Sequence, residues 1–208
     1  MTILIVSFKP DEILFCSDTF RYYLKPDTVK DVLEHRLEIT HANFKDHIEK
    51  IETDNPKIHQ INKNVGLICG GDGFFNNIIE DLDAKKNIPK QIKKKLEQKK
   101  CDHSAFWSCH VGRFAKGKCE LTSIVYKNGI IETEEHAGDH VSFDSFAPEM
   151  AKLFFSKHVS QFYISDTNEK IKILTRYFKE IAELYNDLAG KTPIKAKIDS
   201  EGFKWIQN

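Results

Sequence analysis

The chain has 208 residues, with 31 lysines and arginines against 31 aspartates and glutamates, so its formal net charge is zero. Because these charges balance, the composition gives no sign of a polyanionic partner. Because 40% of the residues are hydrophobic, it excludes an intrinsically disordered protein. At this length we expect one domain over residues 1–208 with a sizeable core.

The first third of the chain predicts a hairpin followed by a helical insertion. Residues 2–8 and 13–17 are rich in Ile, Val, Leu and Phe and flank a Lys-Pro-Asp-Glu turn, which is typical of two paired strands. Between residues 26 and 56 the apolar positions approach helical spacing among charged residues. We therefore predict a helical insertion within the domain at about residues 24–56.

A second hairpin and a second helix are predicted next. Residues 57–61 and 65–69 have strand composition and are joined by Asn-Lys-Asn. The turn at residues 70–73 is rich in glycine and opens a predicted helix over residues 74–82, whose apolar residues recur at three and four positions.

The rest of the chain predicts a basic helix, three strands, two helices and a last hairpin. The basic helix carries eight lysines above an Ile, Ile and Leu stripe spaced by four, and an Asn-Gly turn marks the hairpin after it. In chain order these elements are a helix at 85–100, strands at 103–114, 119–127 and 130–136, helices at 148–158 and 167–188, and strands at 194–198 and 203–206.

This order of elements decides the predicted fold class. The predicted order is strands, then helices, then strands and helices again. Strand and helix do not alternate one by one, as they would in a parallel doubly wound sheet. We predict an α+β protein built as a four-layer αββα sandwich, with two antiparallel sheets between helical layers.

The sequence also bears on location. No apolar run approaches the roughly 18 to 20 residues that a membrane span needs, and the apolar N-terminus meets Lys9, Asp11 and Glu12 too soon for a secretory signal. The five cysteines are odd in number and form no Cys-x-x-Cys motif, which is typical of reduced thiols. We expect a cytoplasmic protein without a membrane partner.

Four positions carry a resemblance to a known family. Thr2 opens an apolar strand, Asp18 closes the second strand, Lys57 begins a Lys-Ile-His-Gln-Ile strand, and Gly70 begins a Gly-Gly-Asp-Gly turn. This pattern resembles the proteasome β-subunit family of N-terminal nucleophile hydrolases, and it is similar to bacterial proteasome-like peptidase subunits. The αββα sandwich of that family agrees with the predicted fold class.

The chemistry explains why these residue types recur at this spacing. A threonine hydroxyl needs a base to take its proton, and a terminal α-amine with a pKa near ~8 can be that base. Removal of Met1 would give Thr2 both groups. The resemblance implies that Asp18 and Lys57 support this nucleophile and that the Gly70 N–H is the oxyanion donor. Lys30 is the alternative lysine, because the interval from Asp18 to Lys57 exceeds the family pattern by about twenty residues.

The resemblance also implies a peptide-binding segment. A peptide would pair as an additional strand between residues 20–22, which are Phe20, Arg21 and Tyr22, and the Gly70–Gly71 segment. The peptide or protein substrate would thereby be held along the catalytic threonine.

Two supporting positions depart from the family pattern. Asp139 stands where the family has a serine, and Lys195 stands where it has an acid. We expect these two residues to form a substitute ion pair, or else the proton relay of the family is incomplete.

Two functional interpretations follow from these residues. The first is a threonine-type peptidase or amidohydrolase, and the alternative is a catalytically inactive proteasome-like subunit with an assembly or binding role. The resemblance implies a homo-oligomeric ring and a possible separate ATPase, with no cofactor and no metal.

Other kinds of site were weighed against this hypothesis. Cys101, His103, Cys109 and His110 do not have the spacing of a structural zinc site, and strand alternation would put Cys109 and His110 on opposite faces. The lysine helix at 85–100 has no interleaved aromatic residues, so we expect no nucleic-acid partner.

Overall fold

The computed structural model describes residues 3–33, 44–71, 73–99, 106–127, 129–145, 149–184 and 192–207. Within these ranges the backbone forms twelve strands, four α-helices and two 3₁₀ helices. The strands are β1 (Ile3–Lys9), β2 (Glu12–Ser17), β3 (Arg21–Leu24), β4 (Ile48–Glu52), β5 (Ile58–Asn62), β6 (Val65–Gly71), β7 (Phe106–Ala115), β8 (Lys118–Lys127), β9 (Ile130–His136), β10 (His140–Ser145), β11 (Ile194–Asp199) and β12 (Gly202–Ile206). The α-helices are α1 (Pro26–Leu33), α2 (Ile88–Gln98), α3 (Glu149–Ile164) and α4 (Thr167–Leu184), and the 3₁₀ helices are Phe44–His47 and Gly73–Ile78.

The described strands form three sheets. One has five strands in the order β10-β1-β2-β11-β12, another has five in the order β5-β6-β7-β8-β9, and the third is the two-stranded ribbon β3-β4. The predicted hairpins β1-β2, β5-β6, β8-β9 and β11-β12 are confirmed as antiparallel pairs. Each joins segments that are close in sequence, so local turn chemistry was sufficient to predict it.

Contacts group the chain into two compact units. The first comprises Met1–Ile3, Asp18–Pro56 and Ser145–Pro193, and the second comprises Leu4–Ser17, Lys57–Asp144 and Ile194–Asn208. The first unit holds the ribbon β3-β4 with α1, α3 and α4. The second holds nearly all of the two five-stranded sheets together with α2. The single domain predicted for residues 1–208 stays a prediction.

Within the second unit the two five-stranded sheets pack face to face. Apolar residues of both sheets, including Phe15 on β2 and Ile68 on β6, form one buried cluster between them. Gly112 on β7 lies at a close approach of the two sheets, because an added Cβ would be 2.8 Å from Ile13 and 2.9 Å from Phe15. A side chain at this position would displace the Ile13 and Phe15 side chains from their packing.

Helix α2 covers the other face of the sheet that contains β7. Its N-cap residue Asn87 accepts a hydrogen bond from the Lys90 N–H at 2.9 Å. Ile88, Ile92 and Leu96 are buried in a cluster with residues of β6, β7 and β8. The predicted basic amphipathic helix is confirmed, since its lysines lie on the side away from this stripe.

The predicted four-layer αββα sandwich is wrong. The described chain is mostly strand, and it forms three sheets and four α-helices. The third sheet arises because β4 forms inside the predicted helical insertion, where Ile48 and Ile51 suggested a helical period. Pairing of β4 with β3 overrides that local preference. The broad α+β description remains usable, but the four layers do not.

Other boundaries also differ from the predictions. The helix predicted at 74–82 is the short 3₁₀ helix Gly73–Ile78, since Gly and two Asn residues are weak α-helix formers. Strand β10 was not predicted. Residues 34–43 of the insertion, residues 103–105 of the predicted strand and residues 185–188 of the last helix lie outside the described residues.

Among the described residues, the longest and most apolar helices fall short of what a membrane-spanning helix requires.

Candidate active site

The Asp18 carboxylate forms a hydrogen bond that fixes the start of strand β1. The side chain is fully buried, and its Oδ1 accepts a hydrogen bond from the Ile3 backbone N–H at 2.7 Å. Its Oδ2 accepts one from the Phe20 N–H at 3.1 Å. These two N–H donors satisfy both carboxylate oxygens where water does not reach them. Asp18 therefore fixes the residue that follows Thr2, whereas Thr2 itself lies outside the described residues.

Lys57 and the alternative Lys30 differ in burial. Lys57 precedes β5, its side chain is 6% exposed, and its carbonyl accepts the Cys69 N–H at 2.9 Å. Lys30 lies in the last turn of α1 and is exposed. Because a buried ammonium is costly unless other groups compensate it, the burial of Lys57 favours it over Lys30 as the functional lysine.

The backbone at Gly70 and Gly71 ends strand β6. Alternate residues of an antiparallel strand direct their N–H groups to opposite edges. Since the Cys69 N–H bonds to Lys57, the Gly70 N–H is directed toward β7, where Gly70 is paired with Ser108. The Gly71 N–H is directed to the same edge as that of Cys69, beyond the point where β5 begins.

Gly71 has a conformation that only glycine adopts easily. Its φ angle is +135°, and an added Cβ would be 2.6 Å from the Trp107 Cα and closer still to the Phe106 carbonyl oxygen. Both obstacles are backbone atoms, which cannot rotate away as a side chain can. The turn that was predicted to receive a substrate thus depends on glycine at this position.

The predicted peptide-binding segment 20–22 leads into the ribbon β3-β4. Arg21 pairs with Glu52 and Tyr22 with Ile51, and the rings of Phe20 and Tyr22 meet edge to face at 6.3 Å. In the described residues this ribbon has only two strands. One edge of β3 is occupied by β4, so a peptide strand would add at the other edge.

The two supporting positions have opposite environments. Asp139 is exposed in the connection between β9 and β10. Lys195 is 3% exposed on β11, in register with Cys16 of β2, and burial lowers the pKa of its ammonium while Cys16 opposes that shift. The suggested ion pair between Asp139 and Lys195 stays a prediction.

A partly buried network of histidines and serines was not predicted from the sequence. His110 Nδ1 and His136 Nε2 each lie 2.7 Å from the Ser123 hydroxyl, and Ser142 lies 3.4 Å from His110 Nε2. The His136 and His140 rings stack at 3.8 Å. These residues come from four strands, so no sequence motif joins them. The available signal was that His110 and Ser123 occupy inward positions of otherwise apolar strands.

The network of histidines and serines predicts that stability depends on pH. Burial lowers the pKa of His136, the neighbouring His110 lowers it further, and Glu134 at 3.6 Å opposes both. The unfolded chain then binds a proton more readily than the folded one, so stability is lost as the pH falls below about 6.5. As the pH falls from about 7.5 to about 5.5, we expect the unfolding free energy of His136→Gln to rise relative to that of the unsubstituted protein. The glutamine keeps a polar group near Ser123. Urea unfolding of both proteins at the two pH values measures this. The same difference in unfolding free energy between the two proteins at both pH values would contradict this prediction.

Cys109 and His110, the two described residues of the candidate zinc set, do not support a zinc site. Cys109 lies in the apolar cluster under α2, whereas His110 contacts Ser123 and Ser142 on the other face. The predicted separation of these two side chains by strand alternation is confirmed. Cys101 and His103 lie outside the described residues. Elsewhere in the described ranges, His, Cys, Asp and Glu side chains do not group in threes or more in a metal-binding arrangement.

Comparison with known proteins adds no family assignment. No protein-family model matches the chain, and no curated protein matches it either. The resemblance to the proteasome β-subunit family therefore rests on the residues around Thr2, Asp18, Lys57 and Gly70.

Proposed function

We propose that the protein is a threonine-type N-terminal nucleophile peptidase or amidohydrolase of the proteasome β-subunit type. The proposal rests on one observation above all, the buried Asp18 carboxylate bound to the Ile3 N–H at 2.7 Å. An acid that fixes the residue after Thr2 is what a nucleophile at the chain terminus requires, because a free terminus otherwise frays. The spacing of Asp18, Lys57 and the Gly70–Gly71 turn supports the same chemistry.

The reaction needs only groups of the chain and water. After loss of Met1, the α-amine of Thr2 takes the proton of its own hydroxyl while Oγ bonds to the substrate carbonyl carbon. The C–N bond then breaks, the leaving amine takes that proton, and an ester to Thr2 remains. Water deprotonated by the same amine attacks the ester carbon, and the bond between that carbon and Thr2 Oγ breaks. Oγ takes the proton back from the amine, and the acid product is released.

Lys57 and Asp18 supply the charges of the proposed reaction. The Lys57 ammonium lowers the cost of forming the Thr2 alkoxide, and the Asp18 carboxylate balances that positive charge. The burial of Lys57, 6% exposed, supports this assignment because lysine is rarely buried unless other groups compensate its charge.

We assign oxyanion stabilisation to the Gly71 N–H, next to the predicted donor Gly70. The Gly70 N–H is directed into the ladder with β7, opposite Ser108, so it is already engaged by a backbone partner. The Gly71 N–H is directed to the β5 edge, where a substrate carbonyl could accept it.

An inactive proteasome-like subunit is the second candidate. It is favoured by Lys195, a buried positive charge at the position where the family has a supporting acid. In this alternative the chain serves assembly or binding. In either case we propose a homo-oligomeric ring, with a separate ATPase as a possible partner.

Substitution at Thr2 tests the proposal. With Met1 removed, we expect Thr2→Ala to lose hydrolysis of fluorogenic peptide amides by at least about 1,000-fold, and Thr2→Ser to retain most of it. Initial rates on a panel of such peptides measure both. Hydrolysis that survives in Thr2→Ala would overturn the nucleophile assignment. A chain that lacks Met1 and hydrolyses none of the panel would favour the inactive subunit.

A further inference from the structure

Two cysteines face each other across neighbouring strands. Cys69 on β6 is in register with Cys109 on β7, and both belong to the apolar cluster beneath α2. Residues directly opposite in an antiparallel pair point to the same face of the sheet. Their sulfur-bearing side chains therefore project side by side, and both are thiols in the structure.

The hydrogen-bond pattern places this pair at the closer of the two kinds of cross-strand position. The Cys69 N–H donates to the Lys57 carbonyl at 2.9 Å, so its backbone polar groups are directed toward β5 and away from Cys109. Cys69 and Cys109 are thus a non-hydrogen-bonded pair, for which the two Cα atoms lie about 4.5 Å apart. That separation falls within the range of about 4.4 to 6.8 Å that a disulfide spans.

The two thiols differ in access. Cys69 is 8% exposed, whereas Cys109 is 0% exposed. Burial raises the pKa of the Cys109 thiol well above its ordinary value, and the neighbouring Cys69 raises it further. Because a protonated thiol is a poor nucleophile, an external oxidant meets Cys69 first. Because Cys69 is only 8% exposed, a small oxidant such as a peroxide reaches it more readily than a bulky disulfide.

We propose that Cys69 and Cys109 are an oxidisable dithiol that a peroxide converts to a cross-strand disulfide between β6 and β7. In the first step the Cys69 thiol gains an oxygen from hydrogen peroxide, which leaves as water, and becomes a sulfenic acid. In the second step the Cys109 sulfur bonds to the Cys69 sulfur. The sulfenic oxygen leaves as water with the Cys109 proton. Two thiols are oxidised by two electrons in total, and one peroxide is reduced to two waters.

The other described cysteines provide an internal comparison. Cys16 faces Ile5 and Lys195 across its strands, and Cys119 faces Phe114 on β7. Burial also raises the pKa of the Cys119 thiol to about 12. These buried cysteines have no cysteine opposite them, so they are not expected to form a rapid intramolecular bond.

Peptide mapping of the unmodified full chain tests the proposal without a substitution that could unfold it. The folded protein is treated with hydrogen peroxide, its remaining thiols are alkylated, and it is digested without reductant and analysed by mass spectrometry. We expect one predominant cross-linked peptide joining Cys69 to Cys109, with loss of two hydrogens and reversal by dithiothreitol. Recovery of Cys69 and Cys109 as separate alkylated or sulfinic peptides would overturn the proposal.

Two controls separate the register from general reactivity. The same treatment in urea removes the strand pairing, and it should give a mixture of cysteine pairs instead of one. Cys16→Ala should leave the Cys69–Cys109 cross-link unchanged, whereas Cys109→Ala should abolish it and let Cys69 proceed to oxidised forms that dithiothreitol does not restore. An equal mixture in the folded protein and in urea would contradict the assignment.

Discussion

Asp18→Ala is expected to lower both stability and the proposed activity, because it removes one buried carboxylate that serves two backbone donors. The Ile3 N–H and the Phe20 N–H bond to its two oxygens at 2.7 and 3.1 Å. A buried donor left without a partner costs about 1–3 kcal/mol, so the loss of unfolding free energy should reach about 2–5 kcal/mol. Urea unfolding measures this loss.

Activity should fall further than stability alone explains. Without the Asp18 carboxylate the Ile3 N–H loses its hydrogen-bond acceptor, so the residue next to the proposed nucleophile Thr2 is no longer fixed. We expect the rate of peptide hydrolysis to drop by at least about 100-fold under conditions in which the variant is still folded. Asp18→Asn is the milder variant, because its single carboxamide oxygen can keep one of the two hydrogen bonds.

Asp11→Ala is the matched control for Asp18→Ala. Asp11 is an acid in the turn of the same β1-β2 hairpin, but it is exposed. Exposed substitutions of this kind usually change stability by less than about 0.5 kcal/mol. If Asp18→Ala and Asp11→Ala had the same unfolding midpoint and the same hydrolysis rate, Asp18 would have neither the structural nor the catalytic role assigned to it.

Gly71→Ala is expected to produce the second large effect, a loss of about 2–5 kcal/mol in unfolding free energy. Two causes add at this position. The φ angle of +135° is strained for any residue with a Cβ, and the new methyl group would meet the backbone of Phe106 and Trp107. Relief requires β6 and β7 to separate at their paired ends. Thermal and urea unfolding measure the cost.

Substitutions at two other glycines separate the cost of the strained φ angle from the cost of the clash. Gly117 has a φ of +80° with no atom within 4 Å of an added Cβ, and Gly138 also has open space around it. We expect Gly117→Ala to cost about 1 kcal/mol through conformation alone, and Gly138→Ala to be near neutral. Equal losses for Gly71→Ala and Gly117→Ala would contradict the predicted clash with the β7 backbone.

The predictable part of the fold is the part set by neighbours in the sequence. Strands β1 and β2 could be predicted from two apolar runs around a short turn, and α2 from Ile88, Ile92 and Leu96 spaced by four. In each case the buried face is visible in the local period. The glycine-rich turn after β6 was predictable as a turn, but the backbone contacts that make Gly71 necessary come from β7.

The unpredicted part depends on partners that are distant in the sequence. Ile48 and Ile51 fit a helical period, yet β4 forms because Arg21 and Tyr22 offer a strand to pair with. The number of sheets follows from such pairings, so the four-layer arrangement could not be deduced from element order. The same holds for Ser123 and its two histidines, which meet only after β7, β8 and β9 align.

The candidate site was also predictable only in part from the sequence. The roles of Asp18 and Lys57 could be proposed from the resemblance to the proteasome β-subunit family, in which an acid and a lysine flank the terminal threonine. The sequence could not show that the Asp18 carboxylate binds the Ile3 N–H. Nor could it show that Lys57 is buried while Lys30 is exposed, since burial is a property of the packed chain.

Covalent trapping of the nucleophile tests the central claim most directly. The full chain with Met1 removed is incubated with a peptide vinyl sulfone or epoxyketone, digested and analysed by mass spectrometry to locate the modified residue. The proposed function predicts one adduct on Thr2, lost in Thr2→Ala and strongly reduced in Asp18→Asn. An adduct on a cysteine or another hydroxyl residue, with Thr2 unmodified, would contradict it.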